Sequence, residues 1–347
     1  MTPAKEVALK HLTQNLGFPD SENLRKLLDL LLTEQEAEWI SQLPGTPEAL
    51  AEKFQSNEDE MKTALNDLFM RGIILVSEHE NGQPVYIFDH KPGRFMDTIL
   101  FDPRYREEMD ETFFDIWKAF YNDELVQMHT DRPPKELPFR VITVMEEIEG
   151  QQGVLPYEHA KEVLVKAERI AVQACPCRTR ERNCDAPLET CISLNKVAEY
   201  MLARGIAREV DVDEALSVLR QSEEIGLVHE TDNNVDPTVI CNCCPCCCTF
   251  LRAITKYGQD AVVARSRYRA FIDPALCQQC DSCIERCYFD AIIAANERYV
   301  VDQHVCYGCG LCVSVCPESA ISIILVEDGE YIPTDRDTFF HNVDGLP

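Results

Sequence analysis

The stretch CQQCDSCIERC at residues 277–287 returns 29 residues later as CYGCGLCVSVCP at residues 306–317. Both copies space their thiols as C-x2-C-x2-C-x3-C, giving Cys277, Cys280, Cys283 and Cys287, then Cys306, Cys309, Cys312 and Cys316. The match runs on past the thiols, YFDAIIAA against PESAISII, so a whole supersecondary unit is duplicated. Zinc sites use four ligands in one or two pairs, which two such quartets do not resemble.

Over residues 266–326 the repeat resembles the bacterial two-cluster ferredoxin family. That resemblance implies two 4Fe-4S clusters in a βαβ-repeat domain. Three closely spaced thiolates wrap one cubane while the fourth points away to the other cluster. On that rule Cys277, Cys280, Cys283 and Cys316 hold cluster 1, and Cys306, Cys309, Cys312 and Cys287 hold cluster 2. Tyr288 departs from the family pattern, which has proline after the fourth thiol of the first copy. No ligand is lost, but the turn and its solvent exposure change.

Ten further cysteines lie upstream, and none precedes Cys175. ACPCRTRERNCDAPLETC supplies Cys175, Cys177, Cys184 and Cys191; ICNCCPCCC supplies Cys241, Cys243, Cys244, Cys246, Cys247 and Cys248. Neighbouring side chains point in different directions and a cubane has four iron corners, so the packed six cannot all bind one cluster. Three readings stand: one or two additional iron–sulfur clusters, with some of Cys175, Cys177, Cys184 and Cys191 holding one and the CNCCPCCC loop another; a zinc site in one quartet; or a thiol or disulfide site. Arg178, Arg180 and Arg182 beside the first group either raise a cluster's potential, hold an anion, or balance charge. His229 reads as a packing or capping residue rather than a ligand. Arg265, Arg267 and Arg269 would share one face of a strand, and ion pairing within this acidic chain explains them better than a docking patch. The run from VLPYEHA through CPCR, GLVHETDN and CNCCPCCC to the repeat is similar to a family of multi-cluster iron–sulfur proteins of anaerobes, which implies that the upstream cysteines work with the ferredoxin clusters and supplies no substrate.

Upstream of the thiols the chain reads as scaffold. SENLRKLLDLLL, TEQEAEWISQLP, TPEALAEKF and NEDEMKTALNDLFMRG read as helices, followed by IILVSE, Asn81-Gly82 and PVYIF as a hairpin. Helices followed by a two-stranded wing resemble a winged-helix domain, spanning residues 1–95. The helix before the wing opens with Glu58, Asp59 and Glu60, which would repel DNA phosphate, so a protein-docking role is the better reading and a redox-sensing regulator a minor one. Residues 96–265 are expected to form a mainly helical domain carrying the Cys-rich site. In it, Phe114, Trp117, Phe120 and Leu125 make an apolar stripe read as core, Pro133-Pro134 mark a linker, and Tyr157 and His159 are surface or capping residues. ISLNKVAEYMLARG and VDVDEALSVLRQSEEIG read as a helical hairpin that brings Cys191 and Cys241 together. Residues 266–326 form the ferredoxin domain and 327–347 a tail, so the fold class is α+β and multidomain.

The 347 residues carry 33 Lys and Arg against 60 Asp and Glu, a net charge of −27 that argues against nucleic acid and anionic membranes as partners. No apolar run is long enough to span a bilayer, and 18 cysteines without an export signal point to a reducing, cytoplasmic setting. No P-loop, G-x-G-x-x-G, G-x-S-x-G or H-E-x-x-H motif is present. The expected function is single-electron relay between a low-potential donor and a partner redox enzyme or larger oxidoreductase complex. The alternative is an oxidoreductase whose non-ferredoxin cluster in the CPCR and CNCCPCCC region reduces a substrate.

Overall fold

The computed structural model describes residues 2–80, 83–131, 137–144, 149, 158–259, 262–295 and 298–326. The expected turn at Asn81-Gly82, the linker at Pro133-Pro134, Tyr157 and the 327–347 tail lie outside them. The chain opens with a helix absent from the sequence reading, α1 (Pro3–Asn15), whose first turn is capped by the Thr2 side chain. Four helices follow: α2 (Glu22–Leu31), α3 (Glu34–Ile40), α4 (Pro47–Phe54) and α5 (Glu58–Met70). Ser21, Thr33, Thr46 and Asn57 cap them with side-chain oxygens that accept otherwise orphaned amides. The hairpin of β1 (Ile74–Glu80) and β2 (Gln83–Phe88) then forms, and Gly45 bridges to Tyr86 on its second strand. Gly72, at φ +75°, turns the chain from α5 into the hairpin; a Cβ there would meet the Thr98 carbonyl oxygen at 2.3 Å.

Helices α6 (Pro92–Leu100), α7 (Pro103–Glu108) and α8 (Glu111–Ala119) continue into a π-helical turn (Phe120–Leu125) and α9 (Val126–Asp131). Phe114, Trp117, Phe120 and Leu125 are buried in the largest hydrophobic cluster, as expected of core. In the same region, Asp89 and Arg94 form a buried ion pair, with Nε and Oδ2 2.6 Å apart.

The expectation of a mainly helical middle domain is corrected by a seven-stranded sheet of order β6-β4-β5-β8-β7-β3-β9. Its strands are β3 (Phe139–Val141), β4 (Ile170–Ala174), β5 (Glu189–Leu194), β6 (Ala207–Glu209), β7 (Val228–Asp232), β8 (Val239–Cys243) and β9 (Val263–Ala264). Between them run α10 (Ala160–Lys166), α11 (Pro176–Glu181), α12 (Asn195–Ala203), α13 (Val212–Glu224) and α14 (Thr249–Thr255). The strands are hard to read from sequence because β4, β5, β7 and β8 are short and buried on both faces, so they show no polar alternation. The ISL segment at the start of the expected hairpin belongs to β5, and Cys191 and Cys241 meet because β5 pairs with β8 in the register Ile192↔Ile240. Ile170, Val172, Ile192, Leu194 and Ile240 on one face pack against Val163, Leu164, Leu216 and Leu219 of α10 and α13. The other face is left for the thiols.

The C-terminal unit pairs β10 (Tyr268–Ile272) with β13 (Ile321–Leu325) and β11 (Ile292–Ala295) with β12 (Arg298–Val301). Its first half is strand, helix α15 (Ser282–Arg286), strand; the corresponding crossover of the second half is a run of turns. The unit is fastened to the middle sheet. Val144, just past β3, donates its amide to the Cys309 carbonyl at 2.9 Å, and Thr143 Oγ1 donates to the Gly308 carbonyl at 2.8 Å. Arg286 donates to the Glu223 and Glu224 carbonyls at the end of α13. Among the described residues no helix is long and apolar enough to cross a membrane.

Candidate metal centres

In the ferredoxin unit the folding of the repeat, not local spacing, decides which thiols face one another. Cys277, Cys280, Cys283, Cys316 and Pro317 line one small cavity, together with Ile272, Tyr299 and Ile321. Burial raises the Cys283 thiol, and the charges that reinforce the shift are those of Cys277, Cys280 and Cys316. Burial likewise pushes Cys309 up to about 12, with Cys306 and Cys287 as the neighbouring charges. Cys316 of the second repeat thus shares a cavity with three thiols of the first, and Cys287 of the first is among the charges that act on Cys309.

The ten upstream cysteines separate into two groups that the sequence reading does not draw. The first is a closed ring of six thiols. Within it each thiol acts on the protonation of the next: Cys175 with Cys177 and Cys191, Cys191 with Cys241, Cys241 with Cys243, Cys243 with Cys248, and Cys248 with Cys177. Strand geometry builds it. Cys191 and Cys241 lie side by side on β5 and β8, Cys243 is two residues on and so on the same face, and Cys175 and Cys177 flank the start of α11. Cys248 closes the ring from the N-cap of α14, where its sulfur accepts from the Leu251 amide. Cys177 is held well below the usual thiol range by the neighbouring Cys175 and Cys248, aided by Arg180 and by a hydrogen bond with Thr249, and Cys241 is lowered to about 7 by Cys191 and Cys243.

The second group is Cys184, Cys244, Cys246 and Cys247, whose sulfurs all lie within 4.8 Å of one another. The backbone divides the CNCCPCCC run: alternation along β8 sends Cys241 and Cys243 to the ring, and the turn after it sends Cys244, Cys246 and Cys247 to the quartet. Of the four thiols from which one cluster is expected to draw, Cys184 thus lies apart from Cys175, Cys177 and Cys191. Arg178 lies between the groups, its charge acting on Cys175, Cys191 and Cys244, and it is anchored by Pro187, Thr190 and the Asn242 carbonyl. Cys244 is lowered to about 4 by its hydrogen bond with Cys247 and by Arg178. Arg180 is buried in an ion pair with Glu181, whereas Arg182 turns away to Glu111 and stacks on Phe114.

His229 is held by packing partners, as expected: its ring nitrogens meet Asn242 on the neighbouring strand β8 and Glu223 near the end of α13. His159 stands at the N-cap of α10 but is buried, and its side chain makes no cap bond. Arg267 is paired with Glu158, Arg269 bonds backbone carbonyls and Arg265 stacks on Tyr307, so these arginines are largely used within the chain. Tyr288, the departure from the repeat, is half-buried between sites: it packs on Gly226, and Cys244, Cys246 and Cys309 all act on its phenol.

The residue that sequence reading misses is Glu230. It lies opposite Cys241 in the β7–β8 register, fully buried, and its Oε2 accepts from Cys248 Sγ at 3.3 Å. Its Oε1 has no hydrogen-bond partner, and burial pushes the carboxyl up to about 7 against the hydrogen bonds from Cys243 and Cys248. An acid inside the buried strand VHETD is the available signal.

Taken together, the duplicated thiol cage defines an iron–sulfur electron-carrier module. Residues 270–323 match the family described as 4Fe-4S dicluster domain. The chain is 37% identical over 70 residues to "Ferredoxin 7Fe" of Hydrogenibacillus schlegelii, which covers 19% of this chain and 90% of that protein. It is 29% identical over 84 residues to "Hydrogenase-4 component A" of Escherichia coli, 24% of this chain and 41% of the relative. It is also 34% identical over 56 residues to a pyruvate synthase subunit of Methanothermobacter marburgensis, 16% of this chain and 65% of the relative. Through its C-terminal domain the chain belongs to the 4Fe-4S dicluster ferredoxins. No solved structure matches the chain.

Proposed function

We propose that the chain is an iron–sulfur electron-transfer protein or oxidoreductase subunit in which the dicluster domain exchanges single electrons with a further centre held by the six-thiol ring. The observation that carries this reading is the docking of the second-cluster loop: the Gly308 and Cys309 carbonyls are bound by Thr143 and Val144, at the end of a strand in the sheet that bears the ring. Phe289 and Tyr307, stacked at 4.5 Å, belong to the same buried hydrophobic core as Cys243 and Cys248. Likeness to a hydrogenase component and to a pyruvate synthase subunit supports a redox partner or a larger oxidoreductase complex. The N-terminal module, a winged-helix-like unit with exposed acids on α5, suits a protein partner, and the thiol content suits the cytoplasm of an anaerobe.

Iron and acid-labile sulfide counted on oxygen-free protein test the reading. A further centre requires about twelve or more of each per chain; roughly eight would leave the ferredoxin pair alone and overturn it.

A second reading, substrate reduction at the ring, is favoured by Glu230, whose Oε1 is buried without a hydrogen-bond partner beside Cys243 and Cys248. A centre that keeps an iron open to substrate would shift its spectrum when cyanide is added; an unchanged spectrum favours relay.

A further inference from the structure

The two upstream thiol groups differ in a way that bears on which metal each takes. In a tetrathiolate site around one zinc ion, bonds of about 2.3 Å at tetrahedral angles put the sulfurs about 3.8 Å apart. In a cubane each thiolate sits on its own iron, and the sulfurs are spread by the width of the cluster. Cys184 Sγ lies 3.7 Å from Cys244 Sγ and 3.8 Å from Cys247 Sγ, and the Cys246 and Cys247 sulfurs are 3.8 Å apart. The cluster-binding unit of the same molecule is the internal comparison. Among the described residues, no three of its eight thiols gather within the 4.8 Å that encloses the whole quartet.

We infer that Cys184, Cys244, Cys246 and Cys247 form a closed tetrathiolate site for a single zinc ion, separate from the iron–sulfur centres. The surroundings fit a structural ion. The quartet joins two irregular segments, the loop after α11 and the turn after β8, which are also tied by the bond from Asn183 Nδ2 to the Cys246 carbonyl at 2.9 Å. Leu227 and Ala186 pack around it, and four sulfurs complete the tetrahedron, which leaves no position for substrate. Zinc with four thiolates carries a net charge of −2, and the guanidinium of Arg178 beside Cys244 offsets part of it. The ion would brace the turn from which Cys243 and Cys248 reach the ring on either side. The inference rests on the proposed function and deepens it, because it assigns the additional iron centre to the ring alone.

The test is metal analysis of the full chain purified without oxygen, joined to X-ray absorption at the zinc edge, which iron does not obscure. Roughly one zinc per chain in a shell of four sulfurs is expected. In Cys184→Ser that shell should lose a sulfur or the zinc should fall to near zero, while iron and sulfide per chain stay as in the wild type. Absence of zinc, a mixed nitrogen or oxygen shell in the wild type, or loss of about four irons in Cys184→Ser would overturn the assignment in favour of another occupant. Should the variant not fold, the wild-type shell decides by itself. An iron count of about eight with zinc present would instead defeat the electron-relay reading and leave the zinc site standing.

Discussion

The ferredoxin unit and the upstream thiol region are both built from cysteines, yet they encode their sites differently. In the ferredoxin unit, three of every four thiols come from one short loop, so their spacing in sequence is their spacing in space. In the upstream region, the six-thiol ring draws on β5, β8, the start of α11 and the cap of α14, and the quartet pairs Cys184 with thiols 60 or more residues away. Where ligands share a loop, the motif is the site; where strands and turns deliver them, the fold must be known first. The non-local feature expected of the ferredoxin unit, a crossed fourth ligand, is where this contrast can be broken. Cys316→Ala should remove roughly four irons, those of the cluster held by Cys277, Cys280 and Cys283. Selective spectroscopy of the two clusters checks it, and loss of the Cys306, Cys309 and Cys312 cluster alone would show that each loop is self-contained after all.

A second contrast sets the thiol-bearing half against the thiol-free N-terminal half, where stability rests on packing and buried polar pairs. Asp89 and Arg94 are almost fully buried, and Asp89 also accepts the Lys91 amide. Asp89→Ala removes a carboxylate 2.6 Å from this buried guanidinium and should cost about 3–5 kcal/mol. The expected result is a fall in the thermal midpoint of the full chain at unchanged iron content. A loss of iron at an unchanged midpoint would mean that the two halves are not independent in the way this division implies.

Legibility in the sequence follows the same division. The helices α2 to α5 and their hairpin are readable because Ser21, Thr33, Thr46 and Asn57 cap amphipathic runs, and local chemistry alone sets those boundaries. The core role of Phe114, Trp117, Phe120 and Leu125 follows from helical spacing. The seven-stranded sheet is not readable, since residues 170–174 and 228–232 are apolar or buried throughout and carry neither period. With the sheet go the partnership of Cys191 with Cys241 and the place of Glu230, all of which depend on register. The helix α1 is missed although Thr2 and Pro3 mark its start, because its apolar face, Ala8, Leu9 and Leu12, is narrow.

The smallest effect lies in that readable half, at the capping box of α3. Glu36 accepts the Thr33 amide at 2.7 Å and pairs with Arg71, also in contact with Asp67. Burial works to raise its carboxyl, but the Thr33 amide and the Arg71 charge outweigh it and hold the group below the usual value of 4.5. Because the folded state favours the charged form, the stabilisation is present above pH 4.5 and is lost as the pH falls through the lowered folded value. Glu36→Gln keeps an oxygen for the Thr33 amide and removes the charge. It should cost about 1 kcal/mol or less near neutrality, because the pair is only partly buried and solvent screens it. Hydrogen exchange of the first-turn amides of α3 reads this directly: the protection difference between wild type and variant should be flat from about pH 8 to about pH 5 and shrink at more acid pH. A difference that persists unchanged at low pH would mean that the cap geometry, and not the Glu36 charge, holds the helix start.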